Sequence, residues 1–401
     1  MLNKKIARSL ASCAVIILLL LNCTSCLSFT LSGIGGGGAP APDGCYIDGK
    51  KVEISSPEKE SRLYRNMTEE EKLLYNAAYT ALSDGYNEFV LKNVNHQKIL
   101  DIYGDVLTAV ICDFPEFFWL SGYVKANAEY VTGSDKGNVT VSMGIYDYWL
   151  ENDLSKARKD FNEKLNSLLR EARDIQDAWE SIKFVHDAII DMTVYDEESY
   201  ELGEAPNAMM NAYSNSAYGP LVEGVALCGG YAKLFELVMH RLGYECEYIT
   251  GTAGGGPHAW NLLLLNNSDY YHVDLTWDDP DREDGIILYN YFCVNDEMIG
   301  KTHTVDPEYE DIKASSTKYN YHVYESLYLT EYDLKSVENI VKSNSAEKAI
   351  SIRFDNKEAF ESAVSDLIDG YKFYEILGKI EKDSFSYIQN EELYILVFIM
   401  E

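Results

Sequence analysis

Apolar residues recur at helical spacing in several stretches of the chain. In "MTEEEKLLYNAAYTALSDGYNEF" (67–89), Leu74, Ala77, Ala78, Ala81 and Leu82 fall on one face. Thr68 stands where an N-cap is wanted, and Glu69, Glu70 and Glu71 suit the positive end of the helix that follows. The same reading predicts helices over Val94–Ile111, Leu154–Leu169, Asp174–Met192 and 229–242, the last stopped by Gly243. "DFPEFFW" leaves the second of these through Pro115 into an extended aromatic segment. Alternation takes over between Val124 and Tyr148, a hairpin turning near Gly133–Gly137, and again in three strands, Glu245–Gly251, His258–Leu265 and Tyr270–Trp277. Towards the end, "KAISIRF" reads as a strand, "NKEAFESAVSDLIDGY" as a helix and "SFSYIQNEELYILVFIM" as a closing hairpin.

Before the first periodic segment the pattern is different. Lys4, Lys5 and Arg8 precede an apolar run, Cys13–Leu21, which is too short for a comfortable membrane span and fits a secretory signal. Thr24-Ser25-Cys26 resembles the end of a bacterial lipoprotein signal, in which the cysteine is acylated after cleavage in front of it. Cys23 departs from that pattern, standing where Leu, Val or Ile is usual, and simple signal-peptidase cleavage nearby is the alternative. "SGIGGGGAPAPDG" (32–44) is too rich in glycine and proline to build a core and reads as a tether. The expected organisation is a signal peptide over 1–25, a flexible linker over 26–60, and an N-terminal helical region with a β-hairpin over 61–175. A core over 176–335 and a small C-terminal α/β domain over 336–401 follow. The fold class is α+β.

Composition narrows the partners more than the fold. The 401 residues carry a formal charge of -31, and the expected signal holds basic groups only, so its removal leaves the chain more acidic still. Phosphates would be repelled and no basic stripe offsets this, which argues against nucleic acid as a partner. Of eight cysteines, Cys13 and Cys23 lie in the signal and Cys26 is the lipidation candidate. Cys45, Cys112, Cys228, Cys246 and Cys293 show no CxxC pair for zinc or redox work. No metal or cofactor is expected.

Candidate chemistry gathers around "VALCGGYAKLF" (225–235). A helix opening at Gly229 puts the Cys228 sulfur near the positive end of the macrodipole, where backbone N–H groups favour an anion and lower the thiol pKa. Two glycines admit a substrate backbone closely. Alone, a cysteine before an apolar helix is more often a buried filler. A base changes that: "GGGPHAWNLLLL" presents His258 where a glycine-rich mobile loop becomes a strand, and "YYHVDLTW" returns with Asp274. A hairpin with an odd-length loop centred on Asn266 would place 258 opposite 274, where a carboxylate fixes the imidazole tautomer and stabilises its charged form. His272, two residues from Asp274, is a neighbour of the site, and Trp260 and Trp277 wall it.

The stretch from "SAYGPLVEGVALCGGYAKLF" through "GGGPHAWNLLLL" to "YYHVDLTWDDP" resembles the transglutaminase-like superfamily, a branch of the papain-like cysteine enzymes. The flanking "HDAIIDMTVYD" (186–196), "YNYFCVNDE" (289–297) and "DFPEFFW" fit the same resemblance, which covers about 180–300. It implies an active-site helix packed on an antiparallel sheet, with Cys228 as nucleophile, His258 as acid/base and Asp274 as orienter. The reaction implied is acyl transfer through a thioester on a protein or peptide, cell-wall peptides among them, with amine or water as acceptor. The oxyanion donors would be the N–H groups at Cys228 and Gly229 and, from the preceding loop, Tyr218, which is otherwise a tyrosine packed over the helix. "DDPDREDG" (278–285) bunches carboxylates without the spacing of a calcium loop and reads as a polar turn. The contrasting expectation is a catalytically silent surface binding or scaffolding module on the same fold. The enzyme reading is an exported protein, lipid-anchored at the membrane through Cys26 or secreted.

Overall fold

The computed structural model describes residues 43–57, 60–202, 211–280 and 285–400. The expected signal, Cys26, and most of the acidic turn after Pro280 lie outside the described residues. The chain is mixed α+β with several antiparallel sheets and divides into two compact units. The first runs to Lys164 and includes Asp196–Glu223; the second comprises Leu165–Tyr195 and Gly224–Glu401.

The first unit is built on a sheet of β1 (Gly44–Ile47), β2 (Lys50–Val52), β3 (Glu88–Asn95), β4 (Leu120–Tyr130) and β5 (Lys136–Ile145). Their order is β2-β1-β3-β5-β4 and every pairing is antiparallel. Helix α1 (Glu69–Ser83) starts at a reciprocal capping box, Thr68 with Glu71, and buries Leu74, Ala77, Ala78, Ala81 and Leu82 completely. Helix α2 (His96–Asp113) follows β3 directly. Two expectations change here. The linker expected over 26–60 contains β1 and β2, whose Cys45, Tyr46 and Ile47 are buried once paired with β3. β3 itself went unread, because only Phe89 and Leu91 of its eight residues alternate inward cleanly. Helix α3 (Leu154–Asp174) begins in this unit, and its residues from Leu165 count with the second.

The second unit continues with α4 (Ala178–Asp191), capped by the Asp177 carboxylate on the N–H groups of Trp179 and Glu180. Strands β6 (Val194–Tyr195) and β7 (Val225–Ala226) pair in parallel and lead into α5 (Cys228–Leu242), which Gly243 ends in the left-handed conformation. Strands β8 (Glu245–Ala253), β9 (Gly256–Leu265) and β10 (Asp269–Val273) form an antiparallel meander. A one-turn helix α6 (Leu275–Asp278), β11 (Phe292–Val294) and β12 (His303–Val305) follow, giving the sheet order β11-β10-β9-β8-β12. The expected mobile loop at Gly254–Gly256 is instead a tight turn: Ala253 pairs with Gly256, and Gly254 and Gly255 sit at φ 58° and 86°. A two-residue loop of this kind, with left-handed backbone at both positions, is one that glycine supplies without strain.

The last quarter is not the separate small domain expected over 336–401. Strands β13 (Tyr328–Leu329), β14 (Ala349–Phe354), β15 (Phe385–Asn390) and β16 (Ile395–Met400) form a sheet ordered β13-β14-β16-β15. All six residues of β16 are buried, because the strand is covered on both sides. Leu396, Phe398 and Met400 join a core with α7 (Leu334–Ser343), α8 (Lys357–Ala363) and α9 (Lys372–Leu377), through Val337, Phe360 and Phe373. Ile395, Val397 and Ile399 join Ile249, Trp260 and Leu262 of the β8–β9 hairpin. With a side-chain period of two, a continuous apolar run fits only a strand sandwiched between two cores.

Candidate active site

Cys228 is the first residue of α5, and its N-cap is Leu227, which offers no side-chain oxygen. The first intrahelical bonds reach Leu227 O from Gly230 and Tyr231, so the N–H groups of Cys228 and Gly229 have no acceptor within the helix. The glycine at 229 is buried and leaves that turn free of side chain. Helix and sheet are tied together by Asn261, fully buried on β9, whose Nδ2 donates to Ala232 O of α5 at 3.0 Å. This bond holds the helix that carries the sulfur against the strand that carries the base.

His258 lies on β9 and is 8 % exposed, while Cys228 is half-buried. The Cys228 thiol is hydrogen-bonded to the His258 side chain and to the Ala259 N–H. On the other side of the ring, Nε2 donates to Asp274 Oδ2 at 2.7 Å, which leaves Nδ1 as the nitrogen that meets sulfur. Asp274 is completely buried, yet it is fixed on both oxygens. Its Oδ1 caps α6, accepting from the N–H groups of Thr276 and Trp277 at 3.1 and 3.2 Å. Its Oδ2 accepts from His258 and from a second imidazole, His303 Nε2 at 3.0 Å.

The electrostatics follow from these contacts. Burial works against charge at every one of the three groups, but their mutual attraction outweighs it. Burial would raise the Cys228 thiol, and the hydrogen bond and charge of His258, with the Ala259 N–H, bring it below its ordinary value. For His258, burial is opposed by the Asp274 charge and hydrogen bond and by Cys228, and the pKa is raised to about 10. Asp274 is held far below the usual carboxylate range by the same two histidines, against its burial. The arrangement favours thiolate and imidazolium together.

The hairpin register differs from the expected one. Leu265 pairs with Asp269 across a three-residue loop centred on Asn267, with Asn266 and Asn267 both at positive φ. Residue 258 therefore does not face 274 across the ladder. β10 ends at Val273, and Asp274 reaches His258 by turning out of the strand as the cap of α6.

The remaining expected residues separate. Trp277 is half-buried, with its ring 6.1 Å from that of His258 and 4.6 Å from that of His303, and it flanks the site. Trp260 walls the site from the interior, its ring stacked 5.8 Å from that of His258, and His272 stands behind it as a neighbour. Trp260 is 1 % exposed behind the His258 ring, and its indole N–H donates to His272 Nδ1 at 3.0 Å. That bond fixes the proton on His272 Nε2, which donates to Asp296 Oδ1 at 3.0 Å. Burial lowers the pKa of His272, so it stays a neutral structural ring. Tyr218 belongs to the first unit, where its ring packs 4.6 Å from Phe118 and 5.0 Å from Trp149. Its hydroxyl is bonded to Glu223, and burial followed by that carboxylate pushes its pKa up.

Three residues that sequence reasoning left without a role complete the surroundings. Asn261 stands in the quoted "HAWN", a visible signal. Asp278, expected in a polar turn, is completely buried and bonded to His186 Nε2 at 3.3 Å and to the Tyr291 N–H. Burial drives its pKa up to about 7. His303 had no local signal at all. It arrives through the pairing of β12 with β8, His303 opposite Ala253. His258, Asp274 and His303 are the described cluster with metal-ligand spacing, their donor atoms within 4.8 Å of one another, and both nitrogens are spent on Asp274 Oδ2. A cavity of about 550 Å³ opens along α4, lined by Lys183, Phe184, Asp187 and Asp191, and shares no residue with this constellation. No described helix is long and apolar enough to cross a membrane.

No family model matches the chain, and no curated protein matches it in sequence. A solved structure described as that of a TGase is similar at a TM-score of 0.27 and 15% identity, covering 38% of this chain and 44% of that one. The chain thus spans less than half the length of that protein.

Proposed function

We propose that this protein is a transglutaminase-like cysteine acyltransferase or peptidase acting on protein or peptide substrates outside the cell, anchored through Cys26 or released. The observation that carries the reading is a single imidazole, His258, held between the Cys228 thiol and a buried, fully hydrogen-bonded Asp274. Nucleophile, base and orienter in contact constitute the machinery of covalent acyl transfer. The thiolate attacks a carboxamide or peptide carbonyl, forming a C–S bond. The oxygen charge that develops is met by the N–H groups of Cys228 and Gly229, which have no acceptor within the helix. The C–N bond then breaks, and ammonia or an amine leaves with the proton of the His258 imidazolium. A second amine, or water, attacks the thioester and passes its proton back to His258. The C–S bond breaks, the new amide or carboxylic acid leaves, and the thiolate is restored.

Iodoacetamide labelling at pH 7, compared with Cys228→Ser, tests the activated sulfur. Cys45, Cys246 and Cys293 are buried cysteines outside any disulfide and serve as internal slow controls. Labelling of Cys228 faster than an unperturbed thiol, with incorporation of a primary-amine probe into a glutamine peptide or cleavage of that peptide, is the expected result. Ordinary labelling kinetics with neither reaction would refute the reading.

A further inference from the structure

Asp274 serves two histidines, and the second has no place in a three-residue triad. His303 is 4 % exposed and presents Nε2 to the same Oδ2 atom that holds His258, the two rings 5.5 Å apart. A carboxylate only accepts, so His303 must carry its proton on Nε2. On the other side of the ring Thr302 Oγ1 lies 2.7 Å from Nδ1; the same hydroxyl reaches Ile299 O at 3.4 Å and is bonded to the Tyr291 hydroxyl. The groups facing this ring are Asp274 from the cap of α6, His258 from β9, His272 from β10, and Tyr291 and Trp277 around its edge.

The carboxylate does not need His303 to stay in place. Its Oδ1 is already fixed by two backbone N–H groups of α6. What a second donor on Oδ2 does is divide the negative charge that His258 feels. A hydrogen bond to a charged acceptor is among the stronger ones in proteins, and it draws off part of the acceptor's basicity. We infer that His303 is a positioning residue that acts through Asp274, tempering the basicity of His258 so that the imidazolium can surrender its proton to the leaving amine. General acids work best when their pKa is not far above the working pH, so an undivided Asp274 would leave His258 too reluctant a donor. This inference rests on the proposed triad for its meaning, while its physical content, the coupling of His303 to His258, is measurable without turnover.

The test is a histidine-selective 15N NMR titration of the full chain, with His258 assigned by its loss in His258→Gln. His303→Leu removes the donor, and the His258 midpoint is expected to rise by about one pH unit, the order expected for losing one charge-assisted hydrogen bond. His303→Gln, which can still donate to Oδ2, is expected to stay close to the wild-type midpoint. Thr302→Val releases the Nδ1 side and shifts the midpoint in the same direction by less, and it serves if the leucine variant does not fold. An unchanged midpoint in a folded His303→Leu or Thr302→Val protein, or equal shifts in the leucine and glutamine variants, would overturn the inference. If Cys228 proves unreactive while the His258 midpoint moves as stated, the acyl-transfer reading fails and the charge division stands.

Discussion

Replacing Asp274 with asparagine isolates one charge. Asparagine caps helices as well as aspartate, so the contacts to the Thr276 and Trp277 N–H groups persist through Oδ1. The side facing the histidines changes from an acceptor to an NH₂ donor. His258 must then turn its tautomer, presenting a bare Nε2 to the amide and an N–H to sulfur, and Cys228 reverts to a thiol. The size of the effect follows from His258, whose pKa rises from 6.5 to about 10 in the folded chain. At about 1.4 kcal/mol per pH unit this is on the order of 5 kcal/mol, shared with the depression of Asp274 because both describe one interaction. The sign is fixed by linkage. A histidine whose folded pKa lies above its unfolded value stabilises the fold fully below pH 6.5, and that contribution disappears as pH rises from 6.5 to about 10. Cys228 works the other way: its folded pKa lies below the ordinary 9.0, so its contribution grows as pH rises towards that value and offsets the His258 loss. Wild-type urea unfolding followed by tryptophan fluorescence should therefore weaken only above about pH 9, up to about 10, while Asp274→Asn is weaker at lower pH and lacks that fall. Cys228 alkylation at pH 7 should fall in the variant towards the rate of an ordinary buried thiol. Parallel stability profiles in the two proteins, or undiminished alkylation in Asp274→Asn, would show that the carboxylate charge does not organise the site.

Three further substitutions probe the scaffold. Gly251→Ala would place a Cβ 2.0 Å from Thr304 O and 2.8 Å from the Trp260 ring, so β12 must move; a loss of about 3 kcal/mol in chemical unfolding is expected, with slower Cys228 alkylation as His303 shifts. Asn261→Ala removes the bond to Ala232 O and leaves a small cavity, costing about 2 kcal/mol and slowing alkylation beyond what the stability loss explains at low denaturant. Thr68→Ala breaks the capping box of α1 in the other unit; it should cost about 1 kcal/mol by thermal or urea unfolding and leave the alkylation rate of Cys228 unchanged.

Much of the local structure was legible because periodicity and capping act within a few residues. The Thr68 cap, the apolar face of α1, the Gly243 stop after α5 and the β8–β10 meander all follow from neighbours in the chain. The errors lie where pairing partners are remote. β1 stands beside a glycine-rich stretch and becomes a strand by pairing with β3 some forty residues on, with β2 joined to its other edge. The closing hairpin looked self-sufficient, yet β16 is buried on both faces by two different cores, and an unbroken run of apolar residues does not say what covers each side.

Cys228 before two glycines, His258 at the head of a strand and Asp274 after the next can be picked out along the chain as candidates, because each stands in a local pattern of its own. How they meet depends on packing. Asp274 reaches His258 as a helix cap and not across the ladder, because a three-residue loop moved the register by two. His303 enters through a strand paired far upstream, and Trp260 backs the His258 ring with His272 behind it. Local patterns specify which way a side chain leaves its own element; the distances on which proton sharing depends are set by how separate elements pack, and no window of sequence contains both.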